Sequence, residues 1–223
     1  MFFTDIFKNL NDEELEEFYK TVFMNMDGES AIKARIQYYK GHLRHMGENV
    51  RIGCGVRIIN PQFISLGYNV MISDGCTLIA RSEGGISLDD GATLKDRVYL
   101  DTELEEGYIK IGKAVYIGTG CTLHGHKGLE IMDDSLLAQN ITITPYSHKF
   151  DIVEDKIINQ GGHSRKVTIG KDSYIGMNSC VLYCADIGEG SVVGSGSVVV
   201  HTVPPYSVAV GVPAKVIRKR GKV

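Results

Sequence analysis

Tryptophan is missing from this 223-residue chain, and only five prolines occur. No apolar run approaches the roughly 18 residues that a membrane-crossing helix needs, so no helical span is expected. The opening MFFTDIF lacks a basic leading region and a long apolar centre, so it does not read as a secretory signal. A dominant charge is lacking too. The 24 Lys and Arg face 27 Asp and Glu, a net −3, and this balance sets nucleic acid aside as a partner. The five cysteines are odd in number and scattered, with no disulfide framework and no CxxC pair. Cys180 and Cys184 stand four apart without a companion set, so no metal centre is expected and the chain reads as reduced and cytoplasmic.

What the sequence does have is a period of six. Ile169, Ile175, Val181, Ile187, Val193 and Val199 open the successive hexads IGKDSY, IGMNSC, VLYCAD, IGEGSV, VGSGSV and VVHTVP. Six is neither the 3.6 of a helix nor the 2 of a plain strand. It fits a short strand and a turn, three of which make one triangular coil. Upstream the same spacing links Leu66, Ile72 and Leu78, then Leu88, Leu94 and Leu100, then Ile111, Ile117 and Leu123, then Ile131, Leu137 and Ile143. Small residues such as Cys76, Cys121, Ser173 and Ser191 stand four places after the aliphatic and are expected to point inward, which makes Cys76 and Cys121 core residues. Glycine often follows the aliphatic, where a tight corner is expected. No single coil can bury its apolar face, but about seven stacked coils would make a prism on the order of 35 Å tall.

Such a prism needs covers at its ends. Asn11-Asp12-Glu13-Glu14 is a helix start, followed by a helical stripe at Leu15, Phe18, Tyr19, Val22 and Phe23. A second stripe runs through Ile32, Ile36, Tyr39 and Leu43. The expected plan is an all-β solenoid of hexapeptide repeats over 49–204, a helical cap over 1–48, and a short tail over 205–223 beginning beyond Pro204-Pro205. One long interruption, an inserted loop at 149–166, breaks the repeat. His148 stands at its root, between a rigid scaffold and a cover, a suitable place for a general base.

The hexads, the SHKFD stretch and the ending GSGSVVVHTVPPYSVAVGVPAKVIRKR together resemble the hexapeptide-repeat acyltransferases over residues 50–220, in particular the sugar and polysaccharide O-acetyltransferases. The resemblance implies a left-handed parallel β-helix, a homotrimer with sites between subunits, and acetyl-CoA as donor. It implies that His148 is the catalytic base that takes the acceptor's proton, with Asp151 available either to orient its ring or as a plain loop carboxylate.

For the donor, the resemblance points to Met177 and Ser195, eighteen residues apart and so stacked in neighbouring coils, then to Val200 and His201, and to Lys215 and Arg218 beside the adenosine phosphates. Tyr174 stands where many relatives carry Trp, and His201 where many carry Lys. For a saccharide acceptor it points to His124 and His126, with His126 expected near the same edge as His148. Gly118 replaces an asparagine of the galactoside type, which argues against a simple galactoside or maltose acceptor. Asp155, Lys156 and Arg165 in the loop are candidates for contact with a larger acceptor. Two other readings stay open: a zinc-dependent protein like the γ-class carbonic anhydrases using His124, His126 and His148, and a scaffold that keeps the fold without the chemistry.

Overall fold

The computed structural model describes residues 11–104 and 106–221. The first ten residues of the expected cap, and Lys222, lie outside them. Asn11 caps the first helix, Asp12–Asn25, through a capping box. Its side-chain oxygen accepts from the Glu14 backbone at 3.0 Å, and the Glu14 carboxylate accepts from the Asn11 backbone at 2.9 Å. Three acidic residues in the first turn face the positive end of the dipole.

The second helix, Glu29–Lys40, buries Ala31, Arg35 and Tyr39. The expected stripe is therefore turned by one residue: Ile32 and Ile36 are half-buried and Arg35 takes the inner place. Arg35 donates from Nε to the Ile52 carbonyl at 2.8 Å, and from Nη1 to the carbonyls of Phe23 at 2.6 Å and Met26 at 2.7 Å. One guanidinium thus joins both helices to the first coil.

Beyond the helices the chain winds into a parallel β-solenoid of about seven turns, the architecture of a left-handed β-helix. Among the described residues its three walls have six, nine and seven strands, and a separate two-stranded sheet lies outside them. Coil stacks on coil in register, so Ile52, Ile72, Leu94, Ile117, Leu137, Ile175 and Val193 form one continuous column. Each is at most 1% exposed. Burial of one such side chain contributes on the order of 2 kcal/mol, and no single coil could supply the column.

The second inward positions are buried as expected, and their polar members are satisfied locally. Ser173, Ser179 and Ser191 donate to the carbonyls of Gly188, Gly194 and Pro204 at 3.1, 3.2 and 2.8 Å. Cys76 and Cys121 donate to backbone carbonyls at 3.0 Å, and burial pushes both thiols up to about 11. They are core residues that stay protonated.

The glycines after the aliphatic have a different cause from the one expected. The left-handed corner positions are taken by Asn140, Asp172 and Asn178, and by other glycines such as Gly190 and Gly196. At Gly176 the constraint is the neighbouring coil: a Cβ would meet the Ser195 backbone nitrogen at 2.5 Å.

Two boundaries also move. The solenoid begins inside the expected cap, where His45–Met46 pairs with Ile64–Leu66. The expected tail carries on the nine-stranded wall: Ser207–Val210 stacks on Val192–Val193, and Lys215–Lys219 folds back antiparallel on it.

Candidate active site

The seven-stranded wall ends at a corner that gathers most of the candidate chemistry. His124 closes the strand Thr122–His124, in register with Asp101 in the coil before it. Asp101 is 1% exposed. It accepts from Arg81 Nε at 2.9 Å and Nη2 at 2.7 Å, from the Tyr99 hydroxyl at 2.9 Å and from the Glu103 backbone at 2.8 Å. Burial alone would raise its carboxyl. The Arg81 hydrogen bonds, with those of Glu103 and Tyr99, outweigh burial and hold it below the ordinary carboxylate range.

From this anchored carboxylate a file of rings climbs the corner. Tyr99 and His124 have centroids 6.1 Å apart, and His124 and His126 5.8 Å. Tyr146 stacks on His126 at 4.9 Å with planes 12° apart, and His148 meets Tyr146 edge-on at 5.0 Å and 89°.

The expected loop is a hairpin, and His148 sits on its first arm. Tyr146–His148 pairs antiparallel with Gly162–Ser164, which places His148 opposite Gly162. The second arm is held from the next coil, with His163 stacked on Tyr183 at 6.0 Å and Arg165 paired to Asp186 at 3.0 Å. Across its tip Gln160 bonds the backbone of Ile152 and Asp155. Asp155 accepts from the Lys156 backbone at 2.8 Å and from Asn159 at 3.0 Å. Asp155 and Arg165 are thus engaged in holding the hairpin itself. Asp151 is exposed and has no hydrogen bond to His148, whose Nδ1 faces the Tyr146 hydroxyl at 3.3 Å.

Three buried polar atoms around this corner have no well-formed hydrogen bond: His124 Nδ1, His126 Nδ1 and Ser164 Oγ. His124 Nδ1 lies 2.8 Å from Glu103 Oε1, close enough for an ion pair but off the line of a hydrogen bond. Desolvation pushes the His126 imidazole below its ordinary pKa, the nearby Glu103 carboxylate opposes this, and His124 adds to it.

This shift makes a prediction. Below about pH 6.5 the unfolded chain takes up a proton at His126 that the folded chain resists. Stability should therefore fall as pH drops from about 6.5 toward the lowered folded-state value. Urea midpoints at pH 7.5 and 5.5 should spread further in the wild type than in His126→Gln, and equal spreads would contradict the assignment.

The donor candidates divide between two corners. Met177 and Ser195 stack as expected, with the Gly196 backbone donating to the Met177 carbonyl at 2.8 Å, and both are exposed. They lie between the nine- and seven-stranded walls. Lys215 and Arg218 lie on the last strand of the nine-stranded wall, opposite Val210 and Val208. Of their basic neighbours, Lys219 bonds the Pro205 carbonyl and Ser207, and Arg220 bonds Asp172 and Gly190. Val200 and His201 follow Val198–Val199 into the histidine corner, where Cys184 donates to the Val200 carbonyl at 2.9 Å. His148 and Met177 therefore belong to different edges of one chain.

Tyr146 was not singled out from sequence, and a signal for it existed. Thr122 pairs with Thr142 and Leu123 with Ile143, an offset of twenty that carries His126 onto Tyr146. His126 and His148 both contact that ring, at the same corner.

A parallel solenoid of hexads thus carries, on a long hairpin, a histidine beside a corner of polar rings. Residues 166–201 match the family described as bacterial transferase hexapeptide (six repeats). That match covers one part of the chain, and the chain's longer likeness is to acetyltransferases.

A probable acetyltransferase of Mycobacterium tuberculosis is 32% identical over 165 residues, 74% of this chain and 54% of that protein. The galactoside O-acetyltransferase of Escherichia coli is 31% identical over 132 residues, 57% of this chain and 64% of that protein. The chain thus spans between half and two thirds of the length of these curated relatives.

Among solved structures, a variant of AntD, an N-acyltransferase from Bacillus cereus, in complex with dTDP-4-amino-4,6-dideoxyglucose and coenzyme A, aligns with TM-score 0.52 and 25% identity over 84% of this chain and 90% of that one. The polySia-specific acetyltransferase NeuO shares the fold at TM-score 0.55 and 22% identity, over 78% of this chain and 84% of that one.

Proposed function

We propose that this chain is an acetyl-CoA-dependent O-acetyltransferase, a cytoplasmic homotrimer that moves an acetyl group to a hydroxyl of a sugar or polysaccharide-related acceptor. The observation that carries the reading is the histidine corner. His148 stands exposed on a hairpin arm, beside three buried polar atoms that lack good partners. Imidazole is suited to taking a proton near neutral pH, and an exposed ring can meet an acceptor hydroxyl. The galactoside relative supports a hydroxyl acceptor. The AntD complex keeps an amino-sugar acceptor as a necessary arm of any panel.

In this reading Met177 and Ser195 form a ledge for the extended arm of the donor, and Lys215 and Arg218 hold its phosphates. His148 takes the proton of the acceptor hydroxyl at the ring nitrogen turned away from Tyr146. The acceptor oxygen bonds to the acetyl carbonyl carbon, the carbon–sulfur bond breaks, and His148 passes its proton to the departing sulfur.

Because His148 and the ledge lie on different edges of one chain, a working site takes one edge from each of two subunits. Refolding His148→Ala together with Ser195→Trp at equal amounts should restore roughly a quarter of wild-type thiol release, since a working site then needs an intact edge from each of two neighbours. A mixture as inactive as both parents would place each site within a single chain.

A further inference from the structure

We propose that Tyr146 is the positioning residue for His148: its phenolic oxygen accepts the Nδ1–H of the imidazole and so selects the tautomer whose Nε2 is free to take a proton. The inference rests on the reading of His148 as general base. Neutral imidazole carries its hydrogen on either nitrogen, and only the Nδ1–H form leaves Nε2 able to act as base. A group that fixes the tautomer therefore matters as much as the ring itself.

Tyr146 is the group placed to do this. Its hydroxyl lies 3.3 Å from His148 Nδ1, and the rings meet edge-on. The two residues are two apart on a strand, so their side chains share one face. Asp151, the carboxylate nearest in sequence, makes no such contact.

The placement of Tyr146 is itself enforced. One face of its ring stacks on His126. On the facing hairpin arm, Gly162 lies so close that a Cβ there would overlap the Tyr146 ring carbons and hydroxyl. A phenol held between a stacked imidazole and a bare backbone has little freedom, and its oxygen is presented to His148. Similar bonds in other active sites lengthen without substrate and tighten when it binds, so 3.3 Å suits the role.

The test uses the full chain, with acetyl-CoA and the best acceptor of a sugar and amino-sugar panel. Tyr146→Phe keeps the ring and its stack and removes only the oxygen. Its kcat is expected to fall roughly tenfold, with KM for acetyl-CoA unchanged. In 15N-histidine-labelled protein, His148 should appear as the Nδ1–H tautomer in the wild type and move toward a mixture in Tyr146→Phe. Gly162→Ala, whose added Cβ displaces the phenol while Tyr146 and His148 themselves stay unsubstituted, should reproduce both effects.

In a His148→Ala background Tyr146→Phe should cause no further loss. Wild-type kcat and an unchanged tautomer in Tyr146→Phe would overturn the inference while an inactive His148→Ala leaves the base assignment standing. So would a loss that persists in the His148→Ala background, because Tyr146 would then act on the acceptor alone. Full turnover by His148→Ala overturns the base assignment and this inference with it.

Discussion

His148→Ala is expected to slow acceptor-dependent thiol release from acetyl-CoA by roughly 10²–10⁴-fold, the usual contribution of a positioned general base. The variant should fold normally. His148 is exposed on a hairpin arm, and among the described residues its side-chain partners are the Tyr146 hydroxyl and ring. KM for acetyl-CoA should be unchanged, because the proposed donor ledge at Met177 and Ser195 belongs to another corner of the prism. That separation makes the experiment decisive: a loss confined to kcat points to proton transfer, whereas a loss in donor KM would relocate His148 to donor binding. Turnover equal to wild type on the best acceptor would remove His148 from the chemistry.

The largest effect on stability is expected from Arg35→Ala. Arg35 is 1% exposed, and its guanidinium meets three backbone carbonyls, two at the end of the first helix and one in the first coil. Truncation strips those carbonyls of a charged donor and leaves a void where the long stem had packed. A cost of about 3–5 kcal/mol is expected, comparable to breaking a buried charged contact. Arg35→Lys should recover only part of it, because one ammonium cannot copy the planar fork. Denaturant midpoints measure the cost, and proteolysis should show the helices released before the coils. A midpoint equal to wild type would mean that the helices are held by their apolar faces alone.

The contrast between these residues shows how much could be read in advance. The hexads specify the walls, because an aliphatic at every sixth place has no other way to be buried together, and every column position is buried as expected. The helix start at Asn11-Asp12-Glu13-Glu14 was legible as a local signal. Arg35 was not. Its partners are carbonyls, which leave no mark in a sequence, and its aliphatic stem lets a charge occupy a place in an apolar stripe.

At the histidine corner the residue types were visible but their neighbours were not. A ruler of eighteen residues per coil holds where Met177 meets Ser195, but the coil between Thr122 and Thr142 is two residues longer. That small difference puts Tyr146, rather than Thr144, over His126. The tail was misjudged because Pro204-Pro205 falls in a corner, where an interrupted backbone costs nothing, and the strand resumes beyond it.

The hairpin has a consequence for how such a protein can change. Thr142 pairs with Cys180 and Ile143 with Val181, so the coils close above and below the excursion as though it were absent. The hairpin is fastened at its base by one stacked pair to the coil beneath and another to the coil above. Between those fastenings it behaves as a cassette. Residues 149–161 can be exchanged or randomised without asking the prism to refold. In the proposed reading, such changes would alter the acceptor while the ledge for the donor is inherited intact.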